Sequence, residues 1–390
     1  MKVLDFETSL ENIEIGKLEL ADTTKSSLWQ HAPHWFDVLD FEDDSIFLEP
    51  TLFYYFKTLF RQETCLMPLE QILYGYAPKG SVSPTIKVYT DSDGVIYLPN
   101  LGYVFTNTEG IKEYTITFCD DNKNIILDGV LISIEALKFI KNDQFKLIGH
   151  KSGAYLSHVI FEEGFKKSIS SAQGKLMSVL NMMENNMLDF YSAIAMTTRE
   201  FAIFNSNNFE SFAALHHFGT AFLNLAGQNQ REVFFLDDIA HQSGHTIYYT
   251  LTHDFQKFLK PNRETSLQDF TNIPNEQRGV YGAFHGLFTY TTILHSLNLA
   301  LQNKWFKGDE QEEALARLGF YYGKFQNDLR NMGDSRILTE EGWRYYDMFH
   351  SGFNKIKKEY YHIVKYFDYS SQNYNFNFEN FKKANQFQTV

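Results

Sequence analysis

Cysteine is almost missing from this chain. Cys65 and Cys119 are the only two in 390 residues, too few for a disulfide framework or a thiolate-held metal. Both thiols are expected to be free, in a reducing, cytoplasmic setting. No secretory leader is expected either: Met1-Lys2-Val3-Leu4-Asp5-Phe6-Glu7 has neither the charged nor the apolar region of a signal peptide. No uninterrupted apolar run approaches the length of a membrane span. Positive charge is in deficit, with 35 Lys and Arg against 48 Asp and Glu and a formal net charge of −13. That argues against a nucleic-acid partner, whose binding rests on clustered Lys and Arg. Lys355-Ile356-Lys357-Lys358 is a local exception and reads as a solvated helix face.

What remains is an ordinary globular composition, 44% hydrophobic and 21% charged, which excludes a disordered chain. With 37 Phe and 23 Tyr the cores are expected to be built from rings. The length allows two domains, or one large core with an elaborated end.

The texture changes near residue 150. Before it, residues 48–76 read as helix, with Leu52, Tyr55, Phe56, Leu59 and Phe60 at helical spacing. Two hairpin signals follow. Thr85–Tyr89 and Val95–Leu98 flank Ser92-Asp93-Gly94, and Tyr114–Phe118 and Ile125–Leu127 flank Asp120–Asn124. From Gly153 onward the pattern is mostly helical. Residues 174–195 carry Leu176, Val179, Leu180, Met183, Met187, Leu188 and Tyr191 at intervals of three and four, the methionines as core filling. Gly219–Leu225 reads as a strand, and further helices are expected over 282–302, 309–330 and 340–367. The fold class expected is α+β: an N-terminal β-rich part with a β-meander over 1–150, then a mainly helical, zincin-like metal-binding domain over 151–369. Residues 370–390, rich in Asn and Phe, read as a docking arm or a partly mobile tail.

The chemistry concentrates in His241-Gln242-Ser243-Gly244-His245. On a helix the two imidazoles, four residues apart, share a face and can grip one metal ion. With Glu in second place this would be the zinc-protease motif, where that Glu is the general base. Gln242 cannot take a proton from a metal-bound water, so the pattern points to metal chemistry other than peptide hydrolysis. A third ligand is needed, and His285 leads, forty residues after His245 and within Gly282-Ala283-Phe284-His285-Gly286. The small residues there would let a second helix come close. Asp237, Asp238, His253 and His295 are weaker rivals. His216 and His217 stand on opposite sides of an extended chain and read as structural.

With those residues in place, the chain resembles a family of HExxH-containing proteins found beside ribosomally made, post-translationally modified peptides. There the metal helix is followed by an Arg-Pro pair, a G-x-x-H-G stretch, a basic helix and a Leu-Thr-x-x-Gly element. The likeness rests on His241, His245, Arg278, Gly282, His285, Gly286 and Leu338-Thr339-Glu340-Glu341-Gly342, and covers roughly residues 165–353. The chain departs from the pattern at Gln242, in place of Glu, and at Gly279, in place of Pro. Some members look like 2-oxoglutarate-dependent iron enzymes that hydroxylate a β-carbon in a precursor peptide. The resemblance implies His241, His245 and His285 as metal ligands, with Fe(II), 2-oxoglutarate and O2 as reactants, or zinc in place of iron.

Oxygen chemistry of that kind needs no base to activate water, so Gln242 is tolerable as a residue that orients a ligand. The distal carboxylate of 2-oxoglutarate would need a cation. Arg278, Arg317, Lys324 and Arg330 are the candidates, Arg278 first for its place before His285. The partner expected is a precursor peptide, taken up by strand addition at an exposed sheet edge, with no nucleic acid and no membrane. Two alternatives stand beside this one. The first is a zinc-dependent hydrolase using Glu232 or Asp238 as base; the second is a non-catalytic binding protein derived from a metalloenzyme.

Overall fold

The computed structural model describes residues 9–63, 67–120, 122–149, 165–228, 230–271, 276–373 and 375–385. Cys65 and the start of the expected helical stretch at Gly153 lie outside them; Cys119 is a free thiol. The protein is an α+β mixture with an N-terminal strand region and a helical C-terminal part. It forms two compact units. The β-rich unit comprises residues 17–172 and 197–226, and the helical unit residues 1–16, 173–196 and 227–390. The chain crosses between them four times: within helices α1 (Leu10–His31) and α3 (Phe165–Asn186), and at 196/197 and 226/227.

In the β-rich unit, the single helix expected over 48–76 is broken. Helix α2 (Pro50–Phe60) has Pro50 in its first turn, and the Glu49 carboxylate caps it by accepting from Thr51 N. It ends before Gln62, which has φ 56°. A separate short helix, Leu69–Leu73, starts after Pro68, whose missing N–H and fixed φ do not suit a helix interior.

Strands β1 (Thr85–Tyr89), β2 (Val95–Leu98), β3 (Gly102–Phe105), β4 (Glu113–Phe118), β5 (Asn124–Leu127), β6 (Val130–Ser133) and β7 (Glu135–Ala136) follow, then β8 (Lys138–Ile140) and β9 (Phe145–Ile148). β4 and β5 pair as expected. The first hairpin does not form. β1 pairs with β4 and β2 with β3, and only a Thr90–Ile96 bridge links the two expected partners. The Asp91 carboxylate accepts from Asp93 N and Val95 N, and this turn sends β2 into a different sheet. A two-residue turn the sequence reading did not single out, Asp128-Gly129 with φ 51° and 79°, joins β5 to β6. Ile86, Val88, Ile116 and Ile125 alternate into one core with Tyr74 stacked on Phe118, ring centroids 3.7 Å apart. Each such side chain contributes about 1.5–3 kcal/mol on burial. β10 (Glu200–Phe204) and β11 (Thr220–Asn224), the latter on the expected segment, extend β9 in parallel.

The helical unit holds most of α3, then α4 (Leu188–Thr197), α5 (Glu232–Leu251), α6 (Val280–Gln302), α7 (Asp309–Met332), α8 (Glu340–Val364) and α9 (Phe378–Asn385). Leu176, Val179, Leu180, Met183, Met187 and Tyr191 are buried, so both methionines fill core. Leu188, expected among them, is 61% exposed because a break at Met187 starts a new helix there. The Leu338–Gly342 element is a helix start. Thr339 Oγ1 accepts from Gly342 N at 3.1 Å, and a Cβ on Gly342 would run into the carbonyl of Phe258. The described part of the tail is packed rather than loose: Phe376, Phe378 and Phe381 are buried.

Candidate metal centre

Of the nineteen residues from Val233 to Leu251, all are buried except His241, His245 and Tyr249. The three follow each other at i, i+4 and i+8, so they form one half-open stripe on a helix otherwise enclosed. α6 lies directly against α5. A Cβ on Gly244 would stand 2.6 Å from Thr292 Oγ1, and that hydroxyl donates to the Ala240 carbonyl at 2.8 Å. This contact carries the close approach. Gly282, expected to serve it, has open space around it, and Gly286 faces Asp328 Oδ2 instead.

The approach brings His285 onto the stripe. His285 Nε2 is 2.5 Å from His245 Nδ1, with ring centroids 4.3 Å apart and planes at 84°. His241 and His245 lie nearly parallel at 5.0 Å. Tyrosines wall the cluster. Tyr248 stacks on His285 at 4.3 Å and 10°, Tyr249 lies 5.1 Å from it, and Tyr321 stands 6.3 Å from His241. None of these three was singled out in the sequence, although Tyr249 continues the four-residue spacing of the two histidines.

Burial disfavours the imidazolium form throughout. It pushes His241 down to about 4, helped by the charge of Lys324. It pushes His285 down to about 3, helped by His241, and holds His245 well below its ordinary value with both other imidazoles adding to the effect. All three are therefore neutral at pH 7, the state in which imidazole donates a lone pair to a metal.

The donor type fits a metal such as iron or zinc. The spacing does not fit as it stands. Two nitrogens on one ion at ~2.1 Å would be roughly 3.0–3.4 Å apart, so the His245 and His285 nitrogens, now 2.5 Å apart, must separate by about 0.5–0.9 Å. Among the described residues, no three His, Cys, Asp or Glu side chains already stand as a cage for a metal ion.

Gln242 is buried off the half-open stripe. Its Nε2 donates to Asp238 Oδ1 at 3.1 Å, and its Oε1 has no hydrogen-bond partner among the described residues.

Two of the candidate anchoring cations are already engaged. Arg278 grips Asp328 through two bonds of 2.8 and 2.7 Å and Glu276 through two more of 3.0 and 2.8 Å. Arg317 is buried, bonded to Asp237 at 2.7 Å and to Glu313 at 2.8 and 3.0 Å. Lys324 packs on a ring. Its ammonium lies 4.2 Å from the Phe320 ring centroid, and burial lowers it to about 8, opposed by Asp237 and Asp328. Arg330 is exposed.

The rival residues have structural surroundings. Asp237 belongs to the Arg317 pair, and His295 is buried edge-on to Phe190 at 6.0 Å. His253 follows the end of α5. In the β-rich unit, His217 stacks on Tyr54 at 5.0 Å, and burial lowers His216 to about 4. Compared with models of protein families and with curated proteins, the chain matches none.

Proposed function

We infer that the chain is an iron(II)- and 2-oxoglutarate-dependent hydroxylase acting on a β-carbon of a residue in a ribosomally made precursor peptide, on a zincin-like helical scaffold. The observation that carries this reading is the gathering of three neutral imidazoles on the one half-open stripe of an enclosed helix. His241, His245 and His285 would hold the metal and leave the remaining positions to the cosubstrate and oxygen. Iron with O2 and 2-oxoglutarate supplies the oxidising power. The protein's own part is to bind, orient and exclude water.

Lys324 would hold the distal carboxylate, since its charge is felt at His241. Gln242 would fix the orientation of the metal helix through Asp238 rather than move a proton. For the peptide, β6 is an edge strand. By its register with β5, Leu131 and Ser133 turn their backbone N–H and C=O outward, and Leu131 is exposed. An extended segment would add there as a fifth strand.

A second reading, a non-catalytic binding protein, is favoured by the direct His245–His285 contact, which occupies two of the nitrogens a metal would need. One experiment separates the two. The protein is loaded anaerobically with Fe(II), its metal content measured, and 2-oxoglutarate added while the ferrous charge-transfer band is followed. Succinate release with a precursor peptide is then assayed. Retained iron with the band supports the hydroxylase; no retained metal leaves the binding protein, and retained zinc with peptide cleavage would turn the assignment to a hydrolase.

A further inference from the structure

Arg317 and Arg263 are each clasped by a pair of rings. The ring centroids of Phe234 and Phe376 lie 5.7 and 5.0 Å from the guanidinium carbon of Arg317, and those of Phe255 and Tyr281 lie 4.8 and 4.6 Å from that of Arg263. Arg317 closes its clasp on Asp237 and Glu313. Arg263, half-buried, forms no ion pair among the described residues. Its Nε is enclosed without a hydrogen-bond partner, and its Nη2 reaches only the Thr252 and His253 carbonyls, at 3.4 Å each. Rings and two long bonds offset only part of the hydration that such a guanidinium gives up. Its position is fixed by the backbone. The Val280 amide donates to the Thr265 carbonyl at 2.9 Å and the Leu267 amide to that of Arg278 at 3.0 Å, which pins the segment carrying Arg263 to the start of α6. Gly279 permits it: a Cβ there would stand 2.6 Å from the Arg263 carbonyl oxygen. Proline also carries a Cβ, so glycine in its place at 279 goes with this position of Arg263.

In its first two turns α6 buries Val280, Ala283, Phe284 and Leu287 and shows Tyr281, Gly282, His285 and Gly286. This half-open stripe starts beside Arg263 and runs to the imidazole cluster. We propose that Arg263 receives a carboxylate of the peptide on which the cluster acts, an assignment that rests on reading His241, His245 and His285 as the metal centre. A guanidinium offers a carboxylate paired, planar bonds, and one already held between rings gives up little freedom on binding. The Tyr281 ring lies between it and His285, whose ring centroid is 6.2 Å further on. The carboxylate therefore belongs to a chain lying along the stripe rather than to a small ligand on the metal. Gly282, with open space above it, leaves room for that chain. From Tyr281 to His285 the helix rises about 6 Å, the length of about two extended residues. The acidic group would thus stand one or two residues from the one over the cluster.

The test measures binding alone, on the metal-free full chain, so it can fail while iron binds and succeed while iron does not. Ligand-observed NMR compares acetyl-Gly-Asp-Gly-amide, its isostere acetyl-Gly-Asn-Gly-amide, and acetyl-Gly-Gly-Gly with a free carboxyl terminus. A carboxylate peptide is expected to bind at least about tenfold more tightly than the Asn peptide, and which of the two does so tells a side chain from a chain end. Arg263→Gln should abolish that preference and Arg263→Lys should keep only part of it, whereas an arginine needed only for packing would weaken all three peptides alike. Circular dichroism checks that the variants fold; if Arg263→Gln does not, the size of the preference in Arg263→Lys decides. No binding, equal binding of acidic and Asn peptides, or a preference that survives Arg263→Gln overturns the proposal. So does loss of 2-oxoglutarate from iron-loaded Arg263→Gln with the peptide preference intact, which would make the residue an anchor for the cosubstrate.

Discussion

Gly244 of α5 lies directly on Thr292 of α6, so close that a methyl group at 244 would stand 2.6 Å from the threonine hydroxyl. That contact sets how near His285 comes to α5. Gly244→Ala must push the helices apart or displace the hydroxyl from its bond to Ala240, and should cost about 1–3 kcal/mol. Gly282→Ala, in open space on the same pair of helices, should instead gain about 0.5–1 kcal/mol from helix propensity. Urea unfolding of both variants checks the pair; equal stability for the two would refute the contact's role.

His285 should decide whether metal stays bound. His285→Ala leaves two ligands on one helix, and its Fe(II) or Co(II) affinity should fall at least about 100-fold relative to wild type. Calorimetric titration of the apo protein measures it. Undiminished affinity would place the metal elsewhere.

Lys324→Met removes the cation whose charge bears on His241 and leaves the three proposed ligands in place. Metal content should be unchanged, while the 2-oxoglutarate concentration needed to develop the ferrous band should rise about 10- to 100-fold. A shift of that size in Arg278→Lys rather than in Lys324→Met would move the anchor to position 278.

Arg278→Lys is otherwise a stability variant. A lysine cannot reproduce two paired bonds to Asp328 and two to Glu276. With Asp328 nearly enclosed and Arg278 itself part exposed, about 1–2 kcal/mol should be lost. Chemical denaturation reports it.

Acid should unfold the apo protein early. His241 and His285 have folded values of about 4 and 3, below the ordinary 6.5 that they regain on unfolding. The unfolded chain therefore binds more protons below pH 6.5, and stability falls as pH drops from 6.5 toward 4. Above 6.5 both states are neutral at these groups and the term vanishes. Tm against pH checks the sign, and His285→Gln should flatten the slope; a wild-type Tm constant over that window would contradict the burial of the cluster.

Much of the helical unit was readable because its signals are local. The four-residue spacing of His241 and His245 already implied a shared face, and the ends of α6, α7 and α8 fall near the expected bounds. What could not be read depended on distant parts of the chain. One partner of Arg278, Asp328, lies fifty residues on and carries no mark in the Arg278–His285 stretch, although the other, Glu276, stands two residues before it. The strand at 145–148 pairs in parallel with 200–204 across two helices, which no short-range pattern announces. The turn at Asp93-Gly94 looked like a hairpin because turn chemistry is the same whether the next strand returns to its neighbour or leaves for another sheet.

The half-open stripe on α5 also divides the helix into two kinds of position. At the sixteen buried sites a substitution is felt first as lost folding, whatever it does to chemistry. At His241, His245 and Tyr249, which are only half-buried, the packing of the helix itself does not decide the residue. Imidazole at 241 and 245 and phenol at 249 meet the rings of His285 and Tyr321 on α6 and α7, so their identities answer to that cluster rather than to the packing of their own helix.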